Sequence, residues 1–98
     1  MKIMISQPMR GKTDKQIQEE RAVIVKQLEE QGHTVVNTVF EEGDFSKGKD
    51  TPLHYLAKSI EFLANVDCLV CMQDWENARG CRIEEQCARE YGKFIMYM

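Results

Sequence analysis

The 98-residue chain has no long apolar run. No segment approaches the ~20 consecutive apolar residues of a membrane-spanning helix, and Met1 to Met4 is too short for the core of a signal peptide. A basic excess is missing too. Lys and Arg number 13 against 16 Asp and Glu, for a net charge of −3, whereas a general nucleic-acid binder needs clustered cations. Neither the G-x-G-x-x-G dinucleotide fingerprint nor the glycine-rich P-loop pattern occurs. There is no repeat, low-complexity tract or linker, so residues 1–98 read as one domain. These absences lead us to expect a cytoplasmic protein with no membrane, nucleic-acid, metal or cofactor partner. A domain this short hides only roughly 60–65% of its unfolded surface, which leaves little chain to wall a deep pocket. A homodimer or homotetramer is therefore expected to enclose any small-molecule site.

Four cysteines are present: Cys68, Cys71, Cys81 and Cys87. Cys68 and Cys71 have C-x-x-C spacing, yet they lie within Cys68-Leu69-Val70-Cys71-Met72, which reads as a buried strand. Residues three apart on a strand point to opposite faces, so this pair cannot chelate one ion without breaking the strand. Core thiols are the expectation.

The remaining chain is regularly punctuated. Lys2 to Ser6 (KIMIS) reads as a strand, and Thr13-Asp14-Lys15-Gln16 as a capping box. The helix it opens carries Ile17, Ile24, Val25 and Leu28 on one stripe and stops at Gly32. Thr34 to Val39 is β-branched and reads as a second strand, followed by a polar loop, Phe40 to Asp50. Thr51-Pro52 restarts the chain as N-cap and first helical residue, with Leu53, Leu56, Ala57, Ile60, Leu63 and Ala64 as one apolar face. A third strand (Cys68 to Met72), a third helix (about Cys81 to Tyr91) and a last strand (Phe94 to Met98) follow. The order βαβαβαβ implies a small, doubly wound, flavodoxin- or Rossmann-like α/β fold. It would have a four-stranded parallel sheet in the order 2-1-3-4 and three helices. Ligands of such sheets bind beyond the strand C-termini at the switch point between strands one and three.

Two loops leave that crevice. Ser6-Gln7-Pro8-Met9-Arg10-Gly11-Lys12 combines hydroxyl, amide, guanidinium and ammonium groups ahead of a helix N-terminus, a setting that suits a phosphate or a sugar. The same residues also make an ordinary turn with solvated cations. The second loop carries Trp75, Arg79 and Gly80. Trp75, the one tryptophan, could stack on a base or cover a pocket edge, and Gly80 allows close backbone approach. Glu84 follows near a helix start. A carboxylate there is expected to stay ionised, which suits a nucleophile and equally suits simple helix stability. On this helix Ile83, Cys87 and Tyr91 are expected to face the sheet, with Glu85, Arg89 and Glu90 solvated. Asp67, which opens the third strand, reads as either a turn residue or a catalytic one.

The segments KIMISQPMRGK, PLHYLAKSIEFLANVDCLV and ARGCRIEEQCAREYGKFI together resemble the nucleoside 2-deoxyribosyltransferase-like family across nearly the whole chain. A weaker resemblance extends to deoxynucleoside 5′-monophosphate N-glycosidases. In these enzymes a Gly-x-x-Glu motif supplies the Glu that attacks the anomeric carbon. Gly80-Cys81-Arg82-Ile83-Glu84 resembles it with one more residue between Gly and Glu, so the resemblance implies Glu84 as nucleophile, Asp67 in the place of the catalytic Asp that opens the preceding strand, and a nucleoside or nucleotide as ligand. It also implies that Ser6, Arg10 and Gly11 hold the sugar and phosphate. The acid that must protonate the leaving base would be Asp67, Asp74 or Glu76. Two positions depart from the pattern. Ser59 stands where the N-glycosidases carry Asp, and the first strand has no Tyr. A protein that captures a nucleotide without turnover would need the same loops.

Overall fold

A computed structural model describes residues 1–36 and 51–98. Its elements are β1 (Lys2–Ser6), α1 (Asp14–Glu30), β2 (Thr34–Val35), α2 (Thr51–Leu63), β3 (Cys68–Cys71), a 3₁₀ turn (Trp75–Asn77), α3 (Arg79–Glu90) and β4 (Phe94–Tyr97). The four strands are parallel and ordered β2-β1-β3-β4, which is the expected α/β arrangement with three helices. The expected remainder of the second strand, from residue 37, and the loop Phe40 to Asp50 lie outside the described residues, as does the capping role of the Thr51 side chain. Among the described residues no helix is long and apolar enough to cross a membrane.

The pleat sorts the core into two layers, because alternate residues of a strand face opposite sides. Ile3, Ile5, Cys68, Val70 and Met72 pack against Leu28, Ile24 and Val25 of α1. Met4, Leu69 and Cys71 pack on the other face with Leu63, Val66 and Ala88, which belong to α2, the turn after it and α3. Cys68 and Cys71 therefore sit in different layers, as their spacing requires.

Local chemistry explains the ends of α1. Thr13 accepts from the Gln16 amide at 3.2 Å while Gln16 Oε1 accepts from the Thr13 amide at 2.9 Å, a complete capping box. At the other end Gly32 turns left-handed (φ 88°), and the following His33 amide returns to the Leu28 carbonyl at 3.1 Å. The expected face of α2 is only partly covered. Leu63 is buried and Leu56 and Ile60 half-buried, but Leu53 is 59% exposed and Ala57 and Ala64 face outward. Helical period alone does not say how wide a stripe its neighbours will cover.

Thr13→Ala removes one half of the capping box. It should cost ~1 kcal/mol, read as a fall in Tm of roughly 4–8 °C for a domain of this size. An unchanged Tm would show that the box contributes nothing to the stability of α1.

Candidate functional site

The sheet register aligns Ser6 of β1 with Cys71 of β3, and Cys71 with Tyr97 of β4. These residues form one row at the strand C-termini, on the face covered by α3. That helix lays Cys81, Glu84, Glu85 and Ala88 onto the sheet. Two adjacent glutamates thus fork across the row. Ser6 Oγ donates to Glu84 Oε1 at 3.1 Å. On the other side Tyr97 Oη donates to Glu85 Oε1 at 2.9 Å, and Arg89 Nε donates to the same oxygen at 3.1 Å.

This arrangement corrects the expected phase of α3. Ile83 and Tyr91 are exposed and Cys87 is half-buried, whereas Glu85, expected in solvent, is 6% exposed. Its partners Tyr97 and Arg89 explain the difference, since a carboxylate can be buried once it is paired and hydrogen-bonded. The helix also begins earlier than expected, at Arg79. Glu84 is therefore beyond the first turn, where the dipole no longer holds a carboxylate ionised.

The two carboxyls are driven apart electrostatically. Burial raises Glu84 to about 7, against a smaller opposing pull from the Ser6 hydrogen bond. The Arg89 hydrogen bond holds Glu85 below the usual carboxylate range, and the Tyr97 hydroxyl adds to that effect. Cys71, beneath both glutamates, is pushed up to about 12, first by burial and then by the charges of Glu85, Cys81 and Glu84. It is an inert neutral thiol. Cys81 is likewise raised by burial, while a contact with Ser6 acts in the opposite sense.

The loop after β1 borders the row. Gln7 is buried, and its Nε2 donates to the Ile17 carbonyl at 2.8 Å. Its Oε1 has no partner among the described residues. The Lys12 amide closes a turn on the Met9 carbonyl at 3.2 Å, and Gly11 takes the left-handed position at φ 80°. This turn carries the side chains of Met9 and Arg10 outward, both exposed. Lys12 is engaged elsewhere, in an ion pair with Glu20 at 2.8 Å.

Beyond the end of β3, Arg82 Nη1 donates to the Glu76 carbonyl at 2.8 Å and holds the 3₁₀ turn against α3. Ala78 occupies the N-cap of α3 without a side-chain bond. The first backbone bond of the helix runs from the Arg82 amide to Ala78, so the amides of Arg79, Gly80 and Cys81 have no intrahelical acceptor. A Cβ on Gly80 would meet nothing within 4 Å, so the backbone there faces open space. Trp75 tilts against Tyr97, with ring centroids 5.5 Å apart and an interplanar angle of 37°.

The fold therefore gathers Ser6, Gln7, Met9, Arg10, Gly11, Trp75, Arg79, Gly80 and Glu84 at the strand C-termini. Asp67 is not among them. It immediately precedes β3 at the opposite end of the strands, four residues and roughly 13 Å before Cys71. There its Oδ2 accepts from the Lys2 amide at 2.9 Å, while its backbone bonds to Lys2 and Phe94. Asp67 is a stitch between strand starts. Glu85, Arg89 and Tyr97 belong to the site region without having been marked by the sequence. The available signal was the position of Tyr97 at the C-terminal end of a strand. Among the described residues no group of three or more His, Cys, Asp or Glu is placed to hold a metal ion.

The family described as Domain of unknown function (DUF4406) matches residues 1–97. No curated protein matches the chain.

Burial of Glu84 makes stability depend on pH in a defined direction. The folded chain keeps the proton up to about 7, while the ordinary value is 4.5. The folded state thus binds more protons between those values, and stability falls as pH rises through the window. The favourable contribution is complete below the unfolded value and lost above the folded one. Its size is on the order of 3 kcal/mol. Glu84→Gln keeps the shape without the charge, so it should melt higher than wild type at pH 8 and close to wild type at pH 4. A mutant that melts lower than wild type at pH 8 would refute the burial cost.

Proposed function

We propose that this chain, which belongs to the DUF4406 family, binds a nucleoside or nucleotide at the strand C-termini and cleaves its N-glycosidic bond through Glu84. The observation that carries this reading is the buried Glu84 carboxyl, held by Ser6 at the switch point of the sheet. The resemblance of Gly80-Cys81-Arg82-Ile83-Glu84 to the Gly-x-x-Glu segment of nucleoside 2-deoxyribosyltransferase-like enzymes, with one more residue between Gly and Glu, supports it. So does the composition of the rim. Arg10 of the β1–α1 loop and Arg79, the first residue of α3, are both exposed at this end, and the first amides of α3, which have no intrahelical acceptor, suit a phosphate.

In the reaction, ionised Glu84 attacks the sugar C1′ and forms a glycosyl ester. The C1′–N bond breaks, and its electron pair leaves with the base, which takes a proton from solvent that the later attack of water on C1′ returns. Water, or a second base, then attacks C1′ and releases Glu84 as carboxylate. The Ser6 hydroxyl orients the attacking group. Only the ionised form reacts, so kcat/KM should rise with pH through about 7, where Glu84 titrates.

One observation favours a second reading, capture of a nucleotide without turnover. Of the three candidate acids for the leaving base, Asp67 is at the far end of the strands, and Asp74 and Glu76 are exposed. The same assay decides between the two. Glu84→Gln should reduce base release by roughly 10³-fold or more and change binding little, while Arg10→Ala should weaken a phosphorylated ligand. If wild type binds nucleotides and chromatography detects no free base, capture is the correct reading. If Glu84→Gln cleaves as fast as wild type, Glu84 is not the nucleophile.

The reading includes a homodimer or homotetramer. Phe94, on the apolar edge strand β4, is 67% exposed, and an open edge of this kind is a ready pairing surface. Light scattering should give at least twice the 11.4 kDa chain mass. A monomer at micromolar concentration would overturn this part.

A further inference from the structure

Tyr97 ends β4 in the same row as Ser6, two strands and about 10 Å away. Its hydroxyl is tethered to Glu85 at 2.9 Å, and Arg89 fixes that carboxylate with two bonds of 3.1 and 3.4 Å. The Trp75 indole, itself half-buried against the core, leans on the ring from 5.5 Å. Despite these restraints Tyr97 remains 56% exposed. An aromatic ring is thus tethered at the C-terminal end of β4 with much of its surface open to solvent.

Holding that ring requires a buried carboxylate, which is costly unless fully partnered. A surface tyrosine that merely covered apolar atoms would need no such tether. A ring already held in place loses little freedom when a planar ligand settles on it, and preorganisation of this kind favours affinity. Glu85 and Arg89 neutralise each other beneath the hydroxyl and leave no net charge at this end, whereas the β1–α1 loop at the other end carries the exposed Arg10. The charge pattern therefore gives the crevice a polarity: phosphate toward Arg10, uncharged aromatic ring toward Tyr97.

We infer that Tyr97 is the stacking platform for the base of the ligand, with Glu85 and Arg89 as residues that position it. Trp75, the aromatic residue that stands out in the sequence, supports Tyr97 from behind. The inference rests on the nucleotide reading above and assigns one part of that ligand to one side chain. Stacking tolerates different bases because every base has a π face, so purine and pyrimidine ligands should both depend on Tyr97.

The test is isothermal calorimetry of wild type, Tyr97→Leu and Tyr97→Phe with the four deoxynucleoside 5′-monophosphates and with 2-deoxyribose 5-phosphate. Trp75 emission is recorded alongside, since it is the chain's single tryptophan. Tyr97→Leu should weaken the monophosphates roughly 5- to 150-fold, the range that loss of one base–aromatic stack produces, and leave the base-free sugar phosphate unchanged. Tyr97→Phe keeps the ring and should retain most of the affinity. Monophosphates, but not the sugar phosphate, should change the Trp75 emission of wild type. Wild-type affinity for monophosphates in Tyr97→Leu would overturn the platform and leave the nucleotide reading intact. An equal loss for the sugar phosphate would overturn it as well, by showing a general disturbance, and so would a Tyr97→Phe defect as large as that of Tyr97→Leu. Failure of wild type to bind any monophosphate would instead overturn the nucleotide reading, and the platform with it.

Discussion

The arrangement on which the rest depends is the pair of adjacent glutamates that α3 presses onto the sheet. One reaches Ser6 on β1 and the other Tyr97 on β4, with the Cys71 thiol of β3 between them. Two buried carboxylates this close in sequence cannot be treated alike by their surroundings. Glu85 receives a guanidinium and a phenol and stays charged, while Glu84 receives one neutral hydroxyl and is pushed up toward neutrality. Divergence of two neighbouring carboxyls is a common way for a fold to separate a reactive group from a structural one.

This pair divides the work along the strands. At the starts of β1, β3 and β4 the chain is densely stitched. Asp67 accepts from the Lys2 amide, donates its own amide to the Lys2 carbonyl at 2.8 Å, and receives the Phe94 amide at 3.1 Å. At the strand ends, polar groups are left available. Gln7 Oε1 is buried without a partner among the described residues, and α3 starts on an alanine that cannot cap it. Such groups cost stability, and a ligand at that end could satisfy them. The stitched backbone and these unpaired polar groups therefore sit at opposite ends of the strands of one small sheet.

Much of the fold was legible because its signals are local. The Thr13–Gln16 capping box, the left-handed Gly32 and the pleat that separates Cys68 from Cys71 each depend on a few neighbouring residues and elementary geometry. Strand order followed as well, since right-handed crossovers leave few choices for βαβαβαβ. The phase of α3 was not legible. Its hydrophobic residues pointed to Ile83, Cys87 and Tyr91, and the helix instead buried Cys81, Glu84, Glu85 and Ala88. Hydrophobicity misjudges a carboxylate whose partner comes from a different strand.

The same distinction separates what the sequence determined alone from what required the tertiary structure. Element order, the parallel sheet, the first helix cap and the candidacy of Ser6 and Glu84 were all readable from residue types and short spacings. The Ser6–Glu84 contact spans 78 positions of chain, and the Glu85–Tyr97 contact joins a helix to the strand that follows it. Neither pairing has a local signature. Only strand register decided that Tyr97 stands level with Ser6. Only burial decided that the Glu84 carboxyl is raised to about 7. Local spacing selects the conformation of each segment, whereas the energy of a charged group depends on every element that surrounds it.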